Sequence, residues 1–192
     1  RTVATSRSFT QGTPQQSGRA LDVTINGAGF FQIEMPDGTT GYTRDGSFQI
    51  DAQGRMVTNS GYPLTAGITV PAETESITIS ADGIVSAKLA GQTAPQQVGQ
   101  IELANFINPP GLEPLGQNLY RESVASGAPI ASAPGATGMG HLMQGYTEAS
   151  NVNVVQELVD MIQTQRAYEM NSKAIQTSDP MLPRLSQLCA PP

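Results

Sequence analysis

The chain of 192 residues contains no tryptophan, one cysteine and one histidine. A single cysteine, Cys189, excludes a disulfide within the chain and a metal site built from several cysteines. His141 has no second ligand or acid-base partner at a suitable spacing, which makes a hydrolase the weakest functional class. The sequence therefore predicts no catalytic residue, no metal site and no cofactor.

Positive charge is also scarce, since 10 Lys and Arg face 16 Asp and Glu for a formal net charge of −6. Without a basic stripe, nucleic acid is not an expected partner. No apolar run approaches the ~20 residues of a membrane span, and no cleavable signal peptide opens the chain. The length is enough for one sizeable core with extensions.

An apolar residue recurs at every seventh position near the C-terminus. Residues seven apart return to nearly the same side of an α-helix, so the pattern predicts a helix with a continuous apolar column. A second apolar column starts at Leu158 but continues with Gln165 and Ser172, which is weak for a coiled coil. The column consists of Val154, Met161, Tyr168, Ile175 and Leu182.

The ends of this helix are marked by capping and breaking residues. Asn153 and Gln156 have the spacing of a capping box, which predicts the helix start. Pro180 and Pro183 would each cost about 3 kcal/mol inside a helix, so the main helix should end near Ser178.

Residues 21–108 contain short apolar and β-branched segments separated by turn residues. Pro-Asp-Gly at 36–38 and Ala-Asp-Gly at 81–83 are typical of turns between paired strands. Six of the ten aromatic residues lie here, so the main core is expected in this zone. The predicted strands occupy residues 21–25, 30–35, 40–44, 47–52, 55–59, 76–80, 84–89 and 98–107.

The pattern predicts a mainly β protein with a long C-terminal α-helix, in which a small domain of hairpins is carried on a helical stem. We expect an extended segment at 1–20, a β-rich outer domain at 21–120 and a C-terminal axial helix region at 150–192. Residues 121–149 are rich in Gly, Ala, Ser and Pro, which predicts a linker or an extended surface segment.

Two local patterns have a catalytic and a structural interpretation. Gly27-Ala28-Gly29 follows a strand as a nucleotide-binding loop would, but a third glycine is missing and the next segment is a strand, so we predict a tight turn. Four aspartates stand at or near glycine-containing turns, where their side chains can accept hydrogen bonds from the backbone. They are Asp37, Asp45, Asp51 and Asp82.

Two blocks of this sequence resemble a known family. The segment from Ser150, SNVN followed by a helix of the type ELVDMIQTQRAYEMNSKA, is similar to the C-terminal helix of bacterial flagellar axial proteins. Residues 21–64 resemble the β-domain signature of rod and hook subunits, most specifically at Gly27–Phe31, Tyr42–Phe48 and Gly54–Leu64. Weaker similarity reaches Leu112, so the resemblance covers nearly the whole chain.

The resemblance implies a structural subunit that assembles into a helical tube, which transmits motor torque to the hook and encloses the export channel. It implies a flagellar basal body location, from periplasm to outer membrane after type III export. The partners expected are further copies of the chain, proximal rod proteins, hook or hook-rod junction proteins, and the P-ring and L-ring proteins. A single β-zone favours the distal rod, with a proximal rod or hook subunit as the alternative. The helical segment that opens such subunits and pairs with the C-terminal helix is not present in this sequence.

The assembly interface expected from the column and its neighbours consists of Val154, Leu158, Met161, Ile162, Tyr168, Ile175 and Leu182. From the pattern alone, the column could instead pack on the β-domain of the same chain. A secreted β-rich binding module is a further alternative, although the absence of tryptophan argues against a glycan-binding surface.

Overall fold

The computed structural model describes residues 7–178. They divide into two compact units, one up to Asn151 and one from Val152 onward. The first is the β-domain, and its strands are β1 (Pro14–Gln16), β2 (Val23–Asn26), β3 (Phe30–Glu34), β4 (Thr40–Thr43), β5 (Phe48–Ile50), β6 (Met56–Thr58), β7 (Thr74–Ile79), β8 (Ile84–Leu89), β9 (Gln96–Gln100), β10 (Leu103–Asn105), β11 (Glu113–Gly116), β12 (Leu119–Arg121), β13 (Ile130–Ser132), β14 (His141–Gln144) and β15 (Tyr146–Glu148). A 3₁₀-helix, Pro109–Gly111, precedes β11.

The strands form several small antiparallel sheets. Six of them make one sheet in the order β11-β12-β4-β3-β10-β13, and three make another in the order β7-β8-β9. The remaining strands pair two by two, as β1 with β15, β2 with β14 and β5 with β6. The predicted mainly β fold with one long C-terminal helix is therefore confirmed.

The β-domain has a main hydrophobic core and a smaller aromatic cluster. In the main core, the rings of Phe31 and Phe48 meet edge to face with centroids 5.1 Å apart, and both side chains are fully buried. The aromatic cluster contains Phe30, Tyr42 and Phe106. Since neighbouring residues of β3 point to opposite faces, Phe30 and Phe31 serve different clusters.

Three predicted hairpins are present as β3–β4, β5–β6 and β7–β8. In the first two hairpins the turn aspartate acts as expected: the carboxylate of Asp37 accepts hydrogen bonds from the backbone N–H and hydroxyl of Thr39 at 2.9 and 2.6 Å. The carboxylate of Asp51 likewise accepts the backbone N–H groups of Gln53 and Arg55 at 2.9 and 2.8 Å.

The prediction of a single strand at 98–107 is wrong. The chain forms β9, which pairs with β8, and then β10, which pairs with β3 and β13 in a different sheet. Between them Ile101 is fully buried, and its N–H donates to the Gly83 carbonyl at 2.8 Å. A bend with an inward apolar residue looks like continuous strand in the sequence, because it preserves the apolar pattern.

The segment predicted as a linker, residues 121–149, contains β13, β14 and β15. All four residues of β14 pair with β2, and Leu142 of β14 is buried in the main core. Periodicity failed here because each strand has only three or four residues, and the partner strands supply most of the apolar side chains.

The second unit contains the helix α1 (Val154–Ser178). Its first turn is capped by Asn153, whose side-chain oxygen accepts the backbone N–H groups of Val155 and Gln156 at 3.1 and 3.3 Å. The side chain of Gln156 donates to the Asp160 carboxylate at 3.1 Å. The cap is thus as predicted, while Gln156 has a different partner from the expected one. Pro180 and Pro183 lie outside the described residues.

Candidate assembly surface and neck of the β-domain

The predicted interface residues lie on α1 with their side chains in solvent. Six of the seven are described, and their exposed fractions range from 48% to 77%. These six are Val154, Leu158, Met161, Ile162, Tyr168 and Ile175. The seventh, Leu182, lies outside the described residues.

The apolar side chains of the first half of α1 cover a wide arc. At 100° per residue, Met161 and Val159 mark its two edges, about 160° apart on the helix circumference. Val154, Leu158 and Ile162 lie between them, and all five are exposed. This arc is wider than the roughly 100° stripe with which a helix faces a single core. The surface is therefore broad enough to contact more than one neighbouring helix.

A polar column borders the apolar column of α1, about 60° away on the helix circumference. Glu157, Thr164 and Asn171 are spaced by seven residues and contain no apolar side chain. The hydroxyl of Thr164 donates to the Asp160 carbonyl at 2.8 Å within the helix itself. The exposed surface of α1 therefore has an apolar and a polar column side by side.

A second feature is the neck, where the chain enters and leaves the β-domain. We define it as two segments, the first crossing at residues 8–16 and the second crossing at residues 144–151. Strands β1 and β15 pair over three residues, from Pro14 opposite Glu148 to Gln16 opposite Tyr146. Further along, the Ala149 N–H donates to the Thr13 carbonyl at 3.0 Å. The two crossings of the chain are therefore held side by side.

Arg44 is the centre of the polar contacts in the neck. Its Nε and Nη2 donate to Glu148 Oε2 at 3.0 and 2.9 Å. Its Nη1 donates to the carbonyls of Gly27 and Gly29 at 3.0 and 2.9 Å, and Nη2 also donates to the Ile25 carbonyl at 3.2 Å. A guanidinium has five N–H groups, so each can be assigned one of these five contacts. Both charged side chains are largely buried, at 18% and 14% exposure.

Polar side chains on both crossings extend this network. The second oxygen of Glu148 accepts the Gly12 N–H at 2.8 Å, and Gln11 Oε1 accepts the Gly27 N–H at 3.0 Å. Asn151 Nδ2 donates to the Thr10 carbonyl at 2.9 Å and to the Ser8 carbonyl at 3.2 Å. The network therefore joins the first crossing, the second crossing and the loop between β2 and β3.

Gly27-Ala28-Gly29 connects β2 and β3, which belong to different sheets. The backbone φ angles of Gly27 and Gly29 are 119° and 132°, which side-chain-bearing residues rarely adopt. A Cβ at Gly27 would also stand 2.8 Å from the Gly140 Cα. This backbone presents two carbonyls to one nitrogen of Arg44, so the loop binds an arginine of its own domain.

Sequence reasoning did not identify Arg44, Glu148, Gln11 or Asn151. A signal was available for Arg44, which lies inside the Tyr42–Phe48 signature block. Its partner Glu148 is 104 positions away, and no local pattern connects such distant residues.

The residues with acid-base or ligand chemistry are dispersed. His141 is exposed and belongs to β14, opposite Asn26. Asp45 accepts the Ser47 N–H at 3.0 Å, as a turn residue does. Within residues 7–178, no group of three His, Cys, Asp or Glu side chains has the geometry of a metal site. In the same range, no helix has the length and apolarity needed to cross a membrane.

The chain matches two protein families in separate parts. Residues 24–87 match the family described as Flagellar hook protein FlgE/F/G D1 domain, and residues 143–188 match Flagellar basal body rod FlgEFG protein C-terminal. Flagellar basal-body rod protein FlgG of Buchnera aphidicola subsp. Acyrthosiphon pisum is 56% identical over 188 residues, which cover 98% of this chain and 72% of that protein. The chain belongs to the flagellar basal-body rod protein family.

Comparison within one organism places this rod subunit more closely. The FlgG of Caulobacter vibrioides is 53% identical over 178 residues, covering 93% of this chain and 68% of that protein. The FlgF of the same strain is 36% identical over 174 residues, covering 87% and 64%. The rod subunit is thus more similar to FlgG, the distal rod protein, than to FlgF. It is a structural protein of the flagellar basal body, as the resemblance implied.

The two matches include both candidate features of the rod subunit. The described part of α1 and its exposed apolar arc fall within the C-terminal match, 143–188. Arg44 lies in the D1 match, whereas Glu148 lies in the C-terminal match. The ion pair of the neck therefore connects the two family domains.

Proposed function

We propose that this rod subunit polymerises with copies of itself through the apolar arc of α1, and that it has no catalytic role. The observation that carries the proposal is the set of exposed apolar side chains on α1. Val154, Leu158, Met161, Ile162, Tyr168 and Ile175 form the contact, and Leu182 extends it in the sequence beyond the described residues.

Energetics support burial of this arc in an assembly. Transferring each of these side chains from water to a packed interface is worth roughly 1.5–3 kcal/mol. The N-cap and the surface pairs of α1 contribute only tenths to about 1 kcal/mol each. Because isolated helices are marginal in water, packing against neighbouring helices dominates the stability of α1.

The contacts between copies are heterologous, which allows a helical tube to grow without closing into a ring. Such a tube transmits motor torque to the hook and encloses the export channel. Its ends meet proximal rod proteins and hook or hook-rod junction proteins, and it turns inside the P-ring and L-ring proteins. Membership of the rod family supports this placement.

The test is Met161→Lys in the complete subunit, with Thr164→Lys as the matched control on the polar column. Lysine at 161 places a charge in a buried apolar contact, at a cost of several kcal/mol for every copy in the tube. We expect Met161→Lys to abolish rod assembly while the subunit is still exported, and Thr164→Lys to be mild.

Rods are scored by electron microscopy of basal bodies, and export is measured separately. Normal rods made of the Met161→Lys protein would refute the proposed contact. Equal damage from both variants would also refute it, because the apolar arc would then have no special role.

A further inference from the structure

The apolar contacts of the neck are concentrated at Phe9, whose ring packs edge to face on Phe30 and Tyr120 with centroids 5.8 and 5.3 Å apart. The paired strands themselves have little apolar support. None of the side chains of β1 or β15 is buried. A two-stranded ribbon with three residue pairs is marginal in water without a hydrophobic face. The order of the β1–β15 ribbon therefore depends on its polar contacts.

Among these contacts, those of Arg44 cannot be replaced by another residue type. Its five N–H groups reach one carboxylate and three backbone carbonyls, on both sides of the junction between the matched domains. Lysine offers three donors from one point and cannot reproduce this planar fork. Hydrogen bonds with a charged partner are stronger than neutral ones, and partial burial reduces their screening by water.

The position of Glu148 gives this ion pair a mechanical consequence. Helix α1 begins six residues after Glu148, so the covalent path from α1 into the β-domain passes directly through the neck. A neck that could bend or twist would deform under a load on α1, so the β-domain would follow the movement of α1 less closely.

We propose that Arg44 is the positioning residue that makes the neck rigid, so that torque on the helical segment passes into the β-domain. This inference rests on the proposed role of the subunit in a torque-transmitting rod. In it, Gly27 and Gly29 provide carbonyls for Arg44, and Glu148 and Gly12 connect the arginine to the two crossings of the chain.

Two variants of the 192-residue chain test the rigidity of the neck directly. Arg44→Lys keeps the charge but removes donors, and Glu148→Gln keeps the shape but removes the charge. The matched control is Arg55→Lys, because Arg55 pairs with Asp51 at the same 2.9 Å but on the exposed surface of a single hairpin.

The measurement is hydrogen exchange resolved by residue. In Arg44→Lys and Glu148→Gln we expect the Gly12 and Ala149 amides of the neck to exchange about tenfold faster or more. Amides of β7 and β8 should keep their rates, because that sheet has no contact with Arg44 in the network. The Arg55→Lys chain should match the unmodified chain at both places.

Two outcomes of this experiment would overturn the inference. In the first, neck and sheet amides accelerate by the same factor, which would make Arg44 a residue of global stability only. In the second, the neck amides keep their rates in both variants, which would show that other contacts hold the neck.

The mechanical role of Arg44 is tested in cells that produce the complete subunit. We expect Arg44→Lys rods to assemble but to show a wider range of curvature in electron micrographs than Arg55→Lys rods. Straight Arg44→Lys rods with normal motility would overturn the mechanical role. The α1 contact is tested by a separate experiment, in which normal rod assembly by Met161→Lys would refute it. That outcome would not change the hydrogen-exchange result for the neck.

Discussion

The β-domain and α1 use similar residue types in opposite ways. Met56 and Tyr42 in the β-domain are 1% and 2% exposed, whereas Met161 and Tyr168 in α1 are 55% and 77% exposed. Among the described side chains of α1, residues 154–176, none is buried. The β-domain thus has a core of its own, while the apolar side chains of α1 are exposed.

The difference shows that composition does not separate a buried core from an exposed apolar surface. What separates them is the periodicity and the number of elements that share the apolar residues. The side chains of a strand alternate between two faces, and the strands of the β-domain pack against several partners, so the inner face of each strand can be covered. A single helix with an arc of about 160° has more apolar surface than one internal partner would cover.

The largest loss of stability is expected from a substitution in the main core of the β-domain. Phe31→Ala should destabilise the β-domain by about 3–5 kcal/mol, because it leaves a cavity against Phe48. Tyr168→Ala is the matched aromatic deletion on α1 and should change the free energy of unfolding by less than about 0.5 kcal/mol. Urea unfolding followed by circular dichroism of the strands measures both. A cost below 1 kcal/mol for Phe31→Ala would contradict the assigned core.

Most of the hairpins could be predicted because their signals are local. Strand β3 has apolar residues two apart at Phe31 and Ile33, and the Pro-Asp-Gly turn that follows it contains its own hydrogen-bond acceptor in Asp37. The start of α1 was predictable for the same reason, since Asn153 acts on the N–H groups two and three residues further on.

The neck and the last strands could not be predicted, because their determinants are distant in sequence. Arg44 meets Glu148 across 104 positions, and β14 is recognisable only through its pairing with β2. Short strands without their own apolar pattern look like linker, as residues 121–149 did. A predicted linker in which every third or fourth residue is glycine or serine can therefore still belong to the folded domain.

The N-cap residue Asn153 contributes to the stability of α1. Asn153→Ala should lower the stability of α1 by about 1 kcal/mol, because the first N–H groups lose their acceptor. Asn171→Ala, in the middle of the helix, should have the opposite sign, since alanine has the better helix propensity. Circular dichroism at 222 nm measures the helix content of each variant.

The melting temperature of the β-domain is the internal control for both changes, and it should stay constant. If Asn153→Ala lowered that temperature as much as the helix signal, the two units would not be energetically separate.

The smallest expected effect concerns a buried tyrosine of the β-domain. Burial raises the pKa of the Tyr42 hydroxyl above its ordinary value of 10.0, and the nearby negative charge of Glu122 raises it further. The unfolded chain therefore loses this proton at lower pH than the folded chain does. The stabilising contribution of Tyr42 is present below pH 10 and decreases as the pH rises through the folded pKa.

Tyr42→Phe removes this proton while keeping the ring in the aromatic cluster, and Tyr168→Phe on α1 is the matched control. Between about pH 9 and pH 11, the Tyr42→Phe chain should lose less stability than the unmodified chain, because it has no hydroxyl to titrate. The quantity compared is the slope of the melting temperature against pH, because the lost hydroxyl also shifts its absolute value. Equal slopes for all three chains would show that Tyr42 titrates alike in the folded and unfolded states. Its burial would then have no electrostatic consequence, and on this point the β-domain would not differ from α1.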